Sequence, residues 1–142
     1  MCRCTPAQVA RYGSRVSGPL LDRIDIRLTV PPVPVGALSG TASAESSGVV
    51  RDRVAGARAV QQERNSVTAV RVNALLHGPA IARYCRPDGR GAARLARAVE
   101  AFGLSARGYH RVLKVARTIA DLEGATGVGA HIAEALQFRG EV

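Results

Sequence analysis

Apolar residues recur at a helical period along most of the chain's second half, and at a strand period only once. Between Ser105 and Gly124 the positions Tyr109, Val112, Leu113, Ala116, Ile119, Ala120 and Leu122 form one stripe with the spacing of an α-helix. Ser105 can cap it and Gly124 can end it. Upstream, Leu95, Val99 and Phe102 fall at i, i+4 and i+7 in a helix predicted over residues 90–102, and Gly103 suits a left-handed C-terminal cap. Ser46 or Ser47 can cap a helix running to residue 64, with Val50, Val54 and Ala57 on one face. A last helix is predicted over residues 128–138, with Thr126 as its cap and Val128, Ile132, Ala135 and Leu136 facing inward. Residues 65–88 are less regular. Asn73 can cap a single turn around Leu75 and Leu76, and Gly78-Pro79 can open another that carries Ile81 and Tyr84. Four helices on short connections predict a helical bundle over residues 49–142.

The first half reads differently. Residues 6–16 are polar and predict a short helix, with Gly13 and Gly18-Pro19 as punctuation. Residues 24–30 (Ile-Asp-Ile-Arg-Leu-Thr-Val) alternate apolar and polar, which predicts a strand ended by Pro31, Pro32 and Pro34. A lone strand needs a sheet supplied from elsewhere. Residues 36–48 have the small, polar composition of a mobile linker. The fold class that follows is mainly α: a bundle of about four helices, preceded by a short strand-containing piece and a loop.

Composition narrows the chemistry. The chain has 142 residues, 46% of them hydrophobic, which is enough for a core. Lys+Arg number 20 against 11 Asp+Glu, a net charge of +9. Nineteen of those cations are Arg and there are twenty-four Ala, a skew that GC-rich coding produces by itself. The net charge still favours polyanionic partners such as nucleotides or nucleic acid. Aromatics at 4% with no Trp argue against a base-stacking platform. No apolar run is long enough for a membrane span and no signal peptide is visible, so a cytoplasmic protein without membrane contact is expected.

Cys2, Cys4 and Cys85 are too few for a disulfide framework. Cys2 and Cys4 are half of a four-thiolate zinc site whose second pair is missing, so no metal site is expected in this chain. His77, His110 and His131 are scattered and read as structural or solvated. Gly89, Gly91, Gly127 and Gly129 stand at helix starts, where capping accounts for them. There is no G-x-x-x-x-G-K-[ST] loop and no apolar run ending in Asp-Glu, so neither Walker motif of an ATPase is present.

Two segments are more specific: YGSRVSGPLLDRIDI at 12–26 and LSARGYHRVLKVARTIADL at 104–122. With ESSGVVRDRVAGARAVQQER at 45–64 and HIAEALQFR at 131–139, they resemble the C-terminal part of the magnesium-chelatase-like AAA+ ATPases, the YifB/ComM family, in the family's own order. The resemblance implies that residues 1–35 are the end of the AAA+ large subdomain and 49–142 its α-helical lid. It implies Walker motifs upstream, and a parent that binds ATP and Mg²⁺ and hydrolyses ATP as a homo-oligomeric ring. A fragment without those motifs should bind neither cofactor and be inactive alone. Its partners would be the upstream core, neighbouring subunits and, for the ComM branch, DNA acted on during recombination or uptake. In that family a further cysteine pair precedes the one matched by Cys2 and Cys4, so a zinc role here would depend on cysteines upstream of this sequence.

The same resemblance assigns residues. Leu20-Leu21-Asp22-Arg23-Ile24-Asp25 matches the pattern that places an arginine at the subunit boundary, making Arg23 a trans arginine finger whose planar fork stabilises charge on the transferring phosphoryl group. The alternative is a salt bridge from Arg23 to Asp22 or Asp25. Arg15 is a second finger candidate. Ser105-Ala106-Arg107 resembles the sensor-2 position, where an arginine in the first turn acts beside unpaired N–H groups and the positive end of a helix. Arg111 and Arg117 read as surface or ion-pairing residues, with Asp121 one turn beyond Arg117. The contrasting class is a freestanding basic helical module that binds nucleic acid without ATP. Such a reader needs one continuous basic helix face, and Arg107, Arg111, Lys114 and Arg117 span too wide an arc for that.

Overall fold

A computed structural model describes residues 3–38, 45–66 and 70–139. Its helices are α1 Pro6–Gly13, α2 Gly18–Leu21, α3 Val35–Leu38, α4 Ser47–Arg64, α5 Pro79–Tyr84, α6 Gly89–Phe102, α7 Ala106–Leu122 and α8 Ile132–Gln137. Single 3-10 turns at Asn73–Leu75 and Gly129–His131 lead towards α5 and into α8. The architecture is mainly α, and no strand occurs among the described residues. No helix among them is long and apolar enough to cross a membrane.

Helix α7 is the axis of the bundle. Ser105 caps it by accepting the Gly108 N–H at 3.0 Å, and Gly124, at φ +69°, lets the chain turn away after it. Val112, Leu113, Ala116 and Ile119 are buried along its stripe, and Leu76, Ile81, Cys85, Leu95, Val128, Ile132 and Ala135 close over them. Each large aliphatic side chain in that cluster contributes roughly 1.5–3 kcal/mol by leaving water. Burial in the same apolar surroundings pushes the Cys85 thiol up to about 11.

Several local expectations are corrected. Residues 24–30 are coil with a bend at Asp25 rather than a strand, because no second strand lies among the described residues to complete a ladder. One backbone bond, from the Arg27 N–H to the Phe138 carbonyl at 2.7 Å, ties this segment to the end of α8. Of the expected linker, residues 39–44 lie outside the described residues, residues 36–38 belong to α3, and Ser46 already caps α4. Val50 and Val54 are exposed, so of the expected face only Ala57 is buried, with Gln61 one turn further on. Phe102 is 64% exposed, since α6 turns Leu95 and Ala98 inward. Neither Asn73 nor Thr126 caps a helix: Asn73 is buried in a polar network, and the Thr126 carbonyl accepts a hydrogen bond from Arg117.

Capping is not the whole account of the glycines either. A Cβ on Gly91 would stand 2.6 Å from the Cα of Gly129 and 3.0 Å from its carbonyl oxygen, so these two backbones touch where α6 begins. Gly91→Ala is expected to lower stability by about 1–3 kcal/mol, because main chain cannot step aside as a side-chain tip can. Gly56→Ala, in open space on α4, should instead raise it by roughly 0.5–1 kcal/mol. Urea midpoints of the two variants would show the opposite signs, and equal midpoints would refute the close-packing account.

Candidate functional site

The two segments singled out in the sequence meet in space. Asp22 lies at the start of α7, where the Ser105 hydroxyl donates to its Oδ2 at 2.9 Å and the Arg139 guanidinium donates to its Oδ1 at 2.9 Å. Ser105 thus acts twice, accepting from the first turn of α7 and donating to Asp22. These hydrogen bonds, Ser105 first and Arg139 after it, together with the charges of Arg139 and Arg107, outweigh desolvation and hold the Asp22 carboxyl below the usual aspartate value. Arg111, one turn after Arg107, ion-pairs with Asp25 and also donates to the Arg23 carbonyl. Arg139 donates its second terminal nitrogen to the Ile24 carbonyl at 3.3 Å. Gly108 leaves room for this arrangement: a Cβ there would stand 3.1 Å from Arg139 Nη2 and 3.4 Å from Asp22 Oδ1.

Arg23 is left over. Both carboxylates that flank it in sequence are taken by other residues, so the expected alternative of a local salt bridge is not formed. Its side chain is exposed and has no hydrogen-bond or ion-pair partner among the described residues. Arg107 is likewise exposed in the first turn of α7, and its charge reaches Asp22. Arg15 points elsewhere, its guanidinium 6.0 Å from the Tyr12 ring centroid. An open groove of about 1040 Å³ runs beside Asp22, Ser105 and Arg139, bounded by Leu21, Phe102 and Leu136.

A second polar cluster lies at the other end of α7. Asp121 receives both terminal nitrogens of Arg64, at 2.6 and 2.7 Å, the Arg117 Nε at 2.9 Å and the Asn73 side-chain amide at 2.8 Å. Arg117 also donates to the carbonyls of Ala125 and Thr126 at 2.6 and 2.7 Å, fastening the chain reversal after α7. Burial alone would raise the Asp121 carboxyl, but the hydrogen bonds from Arg64 and Asn73 and the charges of Arg117 and Arg64 bring it below its usual value. The i,i+4 pairing of Arg117 with Asp121 was legible in the sequence, whereas the contribution of Arg64 was not. Lys114 donates to the Ala74 carbonyl at 2.7 Å. Of the cations at positions 107, 111, 114 and 117, only Arg107 therefore has no hydrogen-bond partner among the described residues.

Cys4 is exposed and Cys2 lies outside the described residues. Glu123, His131 and Glu134 bring one donor atom each to within 4.8 Å of one another. His131 is buried, and its Nδ1 stands 3.7 Å from Glu123 Oε2, which makes an ion pair when the ring is protonated. No motif in the sequence marked that grouping.

Comparison with known proteins places these features in a family. Residues 44–139 match the family described as magnesium chelatase, subunit ChlI C-terminal. Residues 1–38 match magnesium chelatase, subunit ChlI. The chain is 44% identical over 142 residues to the competence protein ComM of Haemophilus influenzae, covering 99% of this chain and 27% of that protein. It is 42% identical over 139 residues to the uncharacterized protein YifB of Escherichia coli, covering 96% of this chain and 27% of that protein. An uncharacterized protein of Mycobacterium tuberculosis is 41% identical over 139 residues, covering 97% of this chain and 27% of that protein. The chain thus spans about a quarter of the length of the curated relatives it matches.

Proposed function

The chain belongs to the magnesium chelatase subunit ChlI family, with residues 44–139 forming its C-terminal helical domain, and from that premise we propose that it is the lid end of a ring-forming AAA+ ATPase. Residues 1–35 end the large subdomain, residues 49–142 are the lid, and the ATPase core lies upstream. Arg107 contacts the phosphates of the nucleotide in its own subunit, and Arg23 reaches the nucleotide held by the neighbour. The ring is cytoplasmic and acts on DNA, a substrate class that the net charge of +9 favours.

The observation that carries this reading is the selective satisfaction of charge around α7. Asp22, Asp25, Arg111 and Arg139 are spent on each other, while the two arginines that the family pattern singles out stay exposed without a hydrogen-bond or ion-pair partner among the described residues. The Ser105 and Arg139 donors at the start of α7 are taken by the Asp22 carboxylate, which leaves Arg107 as the cation there with no hydrogen bond to a described residue. By charge and exposure Arg107 and Arg23 therefore fit the phosphate side of ATP, while ligands for Mg²⁺ have to come from the core. When bound, the nucleotide and its metal supply the reacting phosphoryl group. This chain's part is to place guanidinium charge beside it. The freestanding nucleic-acid reader is disfavoured by the same geometry, because Arg111, Lys114 and Arg117 are committed to partners within the chain and leave α7 no basic face.

Arg107 provides the direct test. In the complete ring, Arg107→Ala is expected to lower ATP turnover by about 10- to 100-fold, the value of one charge-assisted contact to a phosphate. The circular dichroism of the helical domain should not change, because the side chain makes no contact in the core. Unchanged turnover would remove the sensor role.

A further inference from the structure

Among residues 22–25, every neighbour of the Arg23 side chain is tied to the lid. Asp22 is bound by Ser105 and Arg139, the Arg23 carbonyl by Arg111, the Ile24 carbonyl by Arg139, and Asp25 by Arg111. Three lid residues thus hold the loop on both sides of Arg23, whose own side chain is exposed and unbonded among the described residues. Two of them, Ser105 and Arg111, stand on either side of Arg107 on α7. Resting on the reading of Arg23 as finger and Arg107 as sensor, we propose that Ser105, Arg111 and Arg139 are positioning residues that lock the finger loop to the sensor helix. Arg23 and Arg107 then move as one body. A tilt of the lid that follows the nucleotide in one subunit displaces the finger at the neighbouring subunit's nucleotide, which couples adjacent sites around the ring.

The physical case separates this role from plain stability. Residues 3–36 place no residue in the buried apolar core, and the loop meets the bundle through polar contacts. The Arg111–Asp25 pair is partly exposed, with the Asp25 side chain 43% accessible, and such pairs contribute only about 0–1 kcal/mol. Their value lies in geometry. A finger acts through a bidentate fork on a developing charge, and a misplacement of about 1 Å can cost on the order of 100-fold in rate.

The experiment uses the complete ring, with Arg23→Ala as the reference. Arg111→Gln and Arg139→Gln should each lower kcat by about 10- to 100-fold with KM for ATP unchanged. Combining either with Arg23→Ala should be no worse than Arg23→Ala alone, because both changes remove the same finger. Mixing clamp-variant subunits with subunits whose own phosphate-binding loop is disabled should restore part of the activity, through interfaces that pair an intact finger with an intact nucleotide site. A merely structural role would not be rescued in this way. Full activity in the clamp variants beside a defective Arg23→Ala ring overturns the inference, as does a defect that mixing fails to rescue. An unaffected Arg23→Ala ring overturns the reading beneath it. Arg139 is 9% exposed, and if its variant fails to fold, Arg111→Gln decides the matter on the same criteria.

Discussion

Asp121→Ala is expected to destabilise the helical domain by about 3–5 kcal/mol, a large share of the 5–15 kcal/mol that holds a typical domain together. The carboxylate is fully buried and pairs with two guanidinium groups at once, with the Arg64 side chain 18% and the Arg117 side chain 6% exposed. Removing it leaves Arg64 and Arg117, both largely buried, without the carboxylate that pairs with them. It also takes an acceptor from the Asn73 side-chain amide, which retains a bond to the Thr118 hydroxyl at 3.0 Å. The damage should spread, because this network joins the end of α4, the Asn73 turn, α7 and the reversal at residues 125–126. Asp121→Asn keeps the shape and one acceptor oxygen, and should fall between Ala and the native residue. Urea unfolding followed by circular dichroism would measure both. A midpoint for Asp121→Ala equal to that of the native protein would show that the network is not what holds these elements together.

The pH dependence of the same group has a fixed sign. Its carboxyl is held below the ordinary aspartate value by Arg64, Asn73 and Arg117 in spite of burial. A depressed folded-state value stabilises the protein above the unfolded-state pKa of about 3.9, and that contribution disappears as pH falls through the folded value. Acid unfolding of the native domain should therefore steepen below about pH 4, and the Asp121→Asn variant should lack that portion of the loss.

How much of this was legible depends on the range over which each signal acts. The α7 helix could be read off because its cap, its apolar stripe and its terminating glycine all lie within twenty residues. The buried face of α6 was read one position too far. Phe102 has the right spacing, but it stands at the helix end, where the left-handed Gly103 turns the chain away from the core. The segment 24–30 shows the strand period without a strand, because alternation reports two unlike faces and not what covers them. Here its polar members Asp25 and Arg27 dock on α7 and α8 through a side chain and a backbone N–H. Asn73 has cap chemistry and a place at a turn, yet burial beside Asp121 redirects it. The Arg64–Asp121 and Asp22–Arg139 pairs bridge 57 and 117 residues of sequence. In a chain with nineteen Arg, charge alone cannot say which arginine finds which carboxylate. The family resemblance supplied the candidates Arg23 and Arg107, and the fold shows why they differ from their neighbours: the other members of the same clusters have partners.

On the proposed reading of Arg23 as finger, Arg23→Ala in the complete ring is expected to lower turnover by roughly 1,000-fold or more, the range over which arginine fingers act. KM for ATP should change little, because the finger serves charge that develops on the transferring group rather than the bound ground state. Arg23→Lys restores the charge without the planar fork, so it should recover only part of the loss. Arg15→Ala is the matched control. Its guanidinium lies over the Tyr12 ring three residues earlier, a local contact worth roughly 0.5–1 kcal/mol at an exposed site. Losing that contact should leave turnover intact. The opposite pattern, with Arg15→Ala inactive and Arg23→Ala active, would move the finger to α1 and leave the fastened loop at 22–25 with only a docking role. The arrangement around Asp22 and Asp25 argues for the first outcome. Four hydrogen bonds from Arg111 and Arg139, with a fifth from Ser105, converge on three residues beside Arg23 and on its own backbone, and none of them touches its side chain. A loop fixed so closely around one exposed guanidinium is better suited to delivering it across a boundary than to burying it.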